Sequence, residues 1–452
     1  MTFSRKPRRA LPIARVLSPF AFAAVAGLGL AGAHAPAMAQ KKDRKEQAAP
    51  KASYSKGFVA AYKPLEAILK NPAPDFAAAK AALPAVAAAA ETPDDKMALG
   101  QAVVSIGQKS NDSATLREGI DMVLASGRAD RTQQGPYSLL GAQLAYNAKD
   151  YTKALALYQS AIAAGETRDD PQLGVADSYI ASGRVAEGLA YLSSQIEARK
   201  AAGQPVPDTW LRRGVASAYN NKLSAEAQRW ALLYAKEQPN RTSWNDAVAI
   251  VINTSRYAPP EMLDLLRLAR ATGTMQTRDQ YLEYVDAADA RKLPQEVVSV
   301  IDAGVAAKLL SNDIAMVQDA RSTASARIAS DRTELPSLQR DASAAGAKLV
   351  TVMAAADTLL SYGKYPEAEA MYAKAASLAG ANAPLIQTRQ GIAQFYQSKH
   401  DEAQASFAKV QGPRKPIADL WALHSAQKAA GTVIGPAATA PAPAAAPAAA
   451  GS

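Results

Sequence analysis

The chain has 452 residues, 51 Lys and Arg against 41 Asp and Glu, three His and no Cys, and roughly a quarter of it is Ala. The length admits two or three globular domains or one long repeat array. The absence of cysteine excludes disulfides, thiolate metal sites, cysteine nucleophiles and a lipidated N-terminal Cys.

The net charge of +10 is unevenly spread. Five basic residues and no acid stand in residues 1–39, five against two stand in 40–53, and 41 against 39 follow from Tyr54 onward. The body is therefore nearly neutral, whereas a nucleic-acid footprint needs a concentrated basic face. No nucleic-acid partner is expected.

Taken in order, residues 1–39 read as a signal peptide. A basic stretch runs through Arg15, an apolar run extends from Phe20 to Ala33, and Ala37-Met38-Ala39 precedes Gln40, with small residues where a signal peptidase cuts. Gly27, Gly29, Gly32 and His34 interrupt the run, which is too short to span a bilayer. The predicted cut after Ala39 gives a periplasmic or secreted protein that is not integral to the membrane, and a retained anchor is the alternative. Arg8-Arg9 follows Pro7 and precedes no cofactor motif, so the general secretion route is expected. The segment Gly27-Leu28-Gly29-Leu30-Ala31-Gly32 mimics a dinucleotide loop, but it neither follows a strand nor precedes an acid at the required distance. Residues 40–53 form a charged linker.

From Tyr54 to about Gly431 apolar residues recur at helical spacing between short turns. Residues 54–134 are so Ala-rich, as in Phe76-Ala77-Ala78-Ala79-Lys80-Ala81-Ala82, that helix is expected but register is not fixed; degenerate N-terminal hairpins are predicted. In residues 135–310, Tyr151, Ala154, Tyr158 and Ala161 share one helix face, and Tyr365, Ala368, Tyr372 and Ala375 repeat the pattern further on, as do His400, Ala403, Phe407 and Val410. The close-contact positions Ala154, Gly188, Ala227, Met262, Val297, Ala368 and Ala403 are spaced 34, 39, 35, 35, 71 and 35 apart, the 71 reading as two periods with one blurred copy.

A period near 34 with a helix-turn-helix per unit resembles the tetratricopeptide repeat. In that family a small residue and an aromatic in the first helix face a small residue in the second, often with proline at the exit. Those roles fall on Ala142, Tyr146, Ala154 and Tyr158, on Ala176, Tyr179 and Gly188, on Gly214, Tyr219, Ala227 and Pro239, on Ala356 and Ala368, and on Gly391 and Ala403. The match is close at 135–240 and 350–410; from 241 to 310, Trp244, Met262, Tyr284 and Val297 keep the spacing but not the residue types. Residues 311–347 read as an irregular helical segment with Pro336 as a break, and 348–431 as the C-terminal repeats. Residues 432–452, mostly Ala and Pro, read as a disordered tail. The resemblance implies an all-α fold, a right-handed helical-hairpin solenoid.

No phosphate loop, zinc helix, calcium loop or nucleophile elbow occurs, and no cofactor is expected. His400 and His424 read as structural, and the pairs Asp94-Asp95 and Asp169-Asp170 as helix caps. An unrecognised hydrolase would need a convergent polar cluster that the sequence does not present, so no catalytic, cofactor or metal residues are assigned. In tetratricopeptide proteins the first helices line a concave groove that holds peptides. By matching position, Gln143, Tyr146, Asn147, Asp177, Tyr219, Asn220 and Asp357 would face it, an amide serving a peptide backbone beside a tyrosine ring. The expected function is a non-catalytic scaffold binding a protein or peptide in the cell envelope. The alternative is a structural or adaptor subunit of an envelope machine that handles polysaccharide or peptidoglycan.

Overall fold

The computed structural model describes residues 52–435. The signal peptide, nearly all of the linker and the tail beyond residue 435 lie outside the described residues. Those that are described form twenty α-helices and no strand, with one isolated bridge between Asn240 and Gly435. Two compact units divide at residues 205 and 206, where Gly203, Pro205 and Pro207 punctuate the chain. That division was not among the expected boundaries, and the expected one at 134 falls inside a helix.

Residues 52–205 hold α1 (Lys56–Lys70), α2 (Phe76–Ala88), α3 (Pro93–Lys109), α4 (Ser113–Ala125), α5 (Arg131–Asn147), α6 (Tyr151–Ala163), α7 (Pro171–Ala181) and α8 (Val185–Ala201). Each helix packs on the next in sequence. Aspartate starts most of them: Asp75, Asp112, Asp130, Asp150 and Asp170 accept backbone N–H bonds at the N-termini of α2, α4, α5, α6 and α7. These bonds satisfy donors that a helix start leaves unpaired. Asp95 likewise completes a capping box with Thr92, while Asp94 pairs with Arg128.

Residues 206–435 hold α9 (Asp208–Asn220), α10 (Ser224–Glu237), α11 (Arg241–Thr254), α12 (Pro259–Ala271), α13 (Arg278–Ala288), α14 (Pro294–Ala306), α15 (Ala315–Ser343), α16 (Leu349–Ser361), α17 (Tyr365–Ala376), α18 (Ala383–Tyr396), α19 (His400–Ala408) and α20 (Lys415–Ala429), with a 3₁₀ turn at Gly412–Arg414. Again each helix packs on its successor. The seven close-contact positions picked out by spacing are each the fourth residue of a second helix: α6, α8, α10, α12, α14, α17 and α19. All seven are buried, so one full turn into each second helix the backbone comes close to a neighbour.

The interval of 71 is not two repeats. It contains one uninterrupted 29-residue helix, α15, ahead of the α16–α17 pair. Pro336 sits within this helix rather than breaking it. Proline removes one N–H and strains the carbonyl four residues earlier. That carbonyl belongs to Arg332, an exposed residue, where water can replace the lost bond.

This unit also turns back on itself. Helix α20 packs against α10, α11, α12 and α18. Gln427 of α20 accepts from Trp244 Nε1 at 3.2 Å and donates to the carbonyl of Ala235 at 2.9 Å. Trp421 Nε1 donates to the carbonyl of Asp264 at 3.0 Å, and His424 lies edge-on to Trp244. Burial first, then Lys428 and His400, push the His424 pKa down to about 4, so this ring is a neutral core residue near pH 7.

Asp246 on α11 is 9% exposed and faces Asp208 and Arg212 of α9. Burial, with Asp208 adding to it against Arg212, raises its pKa to about 6. A folded pKa above the unfolded one means the native state holds the extra proton, so stability falls as pH rises from about 4 to about 6. Asp246→Asn is expected to stabilise this unit by about 1–3 kcal/mol at pH 7 and to flatten that slope. Melting curves at pH 4 and pH 7 check it; an equal change at both pH values would refute the assignment.

Candidate functional site

The residues proposed for a groove have unequal fates. In unit 52–205, Gln143 is half-buried and donates to Asp169 Oδ2 at 3.2 Å. Tyr146 is half-buried with its ring edge against Tyr151 at 5.4 Å, so it packs within its own hairpin. Asn147, the last residue of α5, is exposed. Asp177 is only 3% exposed and lies close enough to Tyr158 to help burial raise that hydroxyl's pKa. It belongs to the interior, where α7 meets α6, and is removed from the groove set. In unit 206–435, Tyr219 is half-buried and Asn220, ending α9, is exposed.

Asp357 also leaves the groove set. It accepts from Tyr372 Oη at 2.6 Å and from Arg389 Nη1 at 2.7 Å. Arg389 continues to Asp264 Oδ1 at 3.2 Å, and Asp264 further accepts from Arg414 Nη1 at 2.6 Å and Arg267 Nη1 at 2.9 Å. Arg267 in turn holds both oxygens of Glu296, at 2.8 and 2.6 Å, and Tyr284 Oη donates to Glu296 at 2.7 Å. This chain of ion pairs joins α12, α13, α14, α16, α17, α18 and the 3₁₀ turn. Its centre is buried: Asp264 has no exposed surface, and Arg267, Arg389 and Arg414 have at most 5%, while Asp357 at its edge is half-buried. Burial alone would raise the Asp264 carboxyl, but Arg389, Arg414 and Arg267 outweigh it and hold the pKa below the ordinary range.

A cleft of about 630 Å³ adjoins one edge of this network, lined by residues of α12 to α18 and the turn after α16. Arg270 and Arg332 stand in its wall, both exposed. Arg270 donates to Ser299 Oγ at 2.7 Å and Arg332 to Gln295 Oε1 at 3.3 Å. Both acceptors are neutral and lie one turn apart on α14, so they aim the guanidinium groups without neutralising them. Among the described residues neither arginine is paired with a carboxylate. Glu296, the one acid of the lining, is already engaged by Arg267 and Tyr284.

Tyrosines complete the cleft. Tyr362 Oη is buried and has no hydrogen-bond partner. Tyr365 and Tyr396 stack at 4.9 Å with their planes 16° apart, and Tyr396 is 39% exposed. Two of the other three arginines of α15 differ: Arg321 pairs with Asp302 and Arg327 with Asp331, while Arg340 lies outside the cleft. Sequence reading missed this cleft because its residues come from helices more than a hundred positions apart. The one local signal was the density of arginines between Arg321 and Arg340.

No protein-family model matches the sequence, and no curated protein matches it. Among solved structures the chain is similar to the pentatricopeptide repeat protein PPR10 from maize, at 15% identity and a TM-score of 0.32, covering 84% of this chain and 49% of that one. It thus spans about half the length of that protein. It is also similar to the structure of Naa15/Naa10 bound to HypK-THB, at 11% identity and a TM-score of 0.26, covering 83% of this chain and 68% of that one. At these scores the fold stands on this chain's own helices: an all-α array of sequentially packed helices, with a buried small or apolar residue at the fourth position of seven of them.

Proposed function

We propose that the chain is an exported, non-catalytic scaffold of tetratricopeptide-like repeats that binds a protein or peptide partner in the cell envelope. The observation that carries this reading is the cleft in unit 206–435. There, two guanidinium groups without carboxylates, a buried phenol without a partner and a stacked tyrosine pair share one cavity. Polar groups left this way gain from a ligand that supplies the missing acceptors. Export is supported by the basic start, the apolar run and Ala37-Met38-Ala39.

Two measurements test it. N-terminal sequencing of the exported protein is expected to begin at Gln40 or within two residues of it; material beginning at Met1 would make Phe20 to Ala33 an anchor. Affinity capture from envelope extract with the exported chain is expected to retain a polypeptide whose affinity drops about tenfold or more on combining Arg270→Gln with Arg332→Gln. The double change Asn147→Ala with Asn220→Ala is expected to weaken capture less and to leave the melting temperature in place, because both amides are exposed at helix ends. Failure to capture any polypeptide would sink the reading, whereas capture that withstands both double changes would move the binding site out of this cleft.

A further inference from the structure

We infer that the cleft between α12, α14 and α15 binds an acidic peptide segment, in which a Glu or Asp carboxylate meets Arg270 and Arg332 and an adjoining apolar or aromatic side chain lies on the Tyr365–Tyr396 pair. This rests on the scaffold reading above and names the chemistry of what the scaffold holds.

Each guanidinium carries five N–H donors and no acceptor. The structure gives Arg270 one bond, to Ser299 Oγ, and Arg332 one bond, to Gln295 Oε1. Each of those two acceptors thus already holds one bond. Glu296 already accepts from Arg267 and Tyr284, and Tyr362 Oη adds a further hydroxyl with no partner. The cleft therefore offers donors and has few free acceptors.

A ligand rich in acceptors fits such a lining, and a carboxylate is acceptor-only when ionised. Guanidinium also matches it geometrically, through two parallel N–H···O bonds. A neutral sugar fits less well. It brings no charge to the guanidinium groups, and its hydroxyls must donate to acceptors, Gln295, Ser299 and Glu296, that each already hold at least one bond. Three arginines against one glutamate leave the lining with a net charge of +2, in a body whose charge is otherwise nearly balanced. The tyrosine pair stacks within its own hairpin array and still leaves Tyr396 39% exposed, which provides a flat apolar surface beside the charges. Aromatic and arginine side chains in one pocket are the groups that most often dominate peptide recognition.

The test uses the full exported chain and defined probes. A fluorescein-labelled octapeptide of alternating Glu and Tyr is titrated by anisotropy beside its Gln-Tyr counterpart and beside labelled polygalacturonate. The Glu-Tyr peptide is expected to bind about tenfold or more tightly than the Gln-Tyr peptide, and to weaken as salt rises from about 50 to about 300 mM. Combining Arg270→Gln with Arg332→Gln is expected to abolish that preference. Arg340→Gln, exposed on the same helix but outside the cleft, is expected to leave it unchanged. Both arginines are exposed, so the double variant is expected to keep the wild-type melting temperature; Tyr396→Leu, which keeps every charge, is the second variant and is expected to weaken both peptides alike.

Equal affinity for the two peptides, absence of peptide binding, or tighter binding of polygalacturonate would each overturn the inference. So would an unaltered preference in the double arginine variant. The two readings fail separately. A captured partner whose binding ignores the arginine changes leaves a scaffold without an acidic-peptide cleft. Peptide selectivity without any captured partner leaves the cleft and removes the scaffold role.

Discussion

Asp264→Asn is expected to destabilise the unit 206–435 by about 3 kcal/mol or more while leaving unit 52–205 melting as before. Asp264 is completely buried and receives Arg267, Arg389 and Arg414, which approach from α12, α18 and the 3₁₀ turn. The change keeps the shape but removes the negative charge and turns an amide toward three cations. Each arginine retains one other acid, Glu296, Asp357 or Glu261 respectively, so the network is weakened rather than emptied. Breaking one partner of a buried ion pair typically costs about 3–5 kcal/mol, because the remaining charge is stranded in a low dielectric. The surface pair Lys415–Asp419 gives the contrast: Asp419→Asn should change stability by about 1 kcal/mol or less.

The readout is selective by composition. All four tryptophans, Trp210, Trp230, Trp244 and Trp421, belong to residues 206–435, so tryptophan fluorescence follows that unit alone. The acid limb gives a second check. The folded pKa of Asp264 is depressed, so its stabilisation is complete above the unfolded carboxylate value, near pH 4, and is lost as pH falls through the folded value. Wild-type fluorescence should therefore show an acid transition below about pH 4 that is blunted in Asp264→Asn. Coincident fluorescence melts of the variant and the wild type would show that the network adds nothing.

Much of the helical order is legible in the sequence, because periodicity and capping are local. The fourth-position residues from Ala154 to Ala403 recur mostly 34 to 39 residues apart, and of the acids read as caps Asp95 serves the start of α3 and Asp170 the start of α7. What could not be read is long-range. Asp357 looks like a groove residue when judged by repeat position alone, and only the arrival of Arg389, 32 residues on, ties its half-buried carboxylate into the ion-pair network. Asp264 and Arg414 are 150 residues apart, and nothing near either one announces the other. Helix α15 misled for a different reason. Proline was given its average cost, but its freed carbonyl here faces solvent, so the helix continues. The cleft combines both difficulties, since Arg270, Arg332, Tyr365 and Tyr396 meet only once α15 is continuous and α18 has packed against α12.

Gly214→Ala is the second large effect, and it tests the packing rule of the array. A methyl group built on Gly214 would lie 2.1 Å from Trp230 Cε3 and 2.4 Å from Cδ2, far inside van der Waals contact. The same spacing in sequence separates Ala142 from Tyr158, Ala356 from Tyr372 and Gly391 from Phe407. Glycine stands directly against a ring at Gly214–Trp230, Gly391–Phe407 and Gly174–Tyr158. Gly391 meets Phe407 at 2.6 Å by the same construction. Trp230 is fully buried and has no room to withdraw, so α9 and α10 must separate. Overpacking of this kind costs about 1–3 kcal/mol and more where the ring cannot turn, against a helix-propensity gain of about 1 kcal/mol for replacing a helical glycine. A net loss of about 2–3 kcal/mol is expected in the fluorescence melt of unit 206–435. Gly346→Ala, with open space around it, should be neutral or slightly stabilising. The decisive measurement is the double change with Trp230→Leu. If the ring is what the methyl strikes, Gly214→Ala in that background should lose most of its cost, giving a coupling of about 1–3 kcal/mol between the sites. Additive losses would mean that Gly214 is required for some reason other than the approach of α10, and the pairing of small with aromatic residues would cease to explain how successive helices in this chain come together.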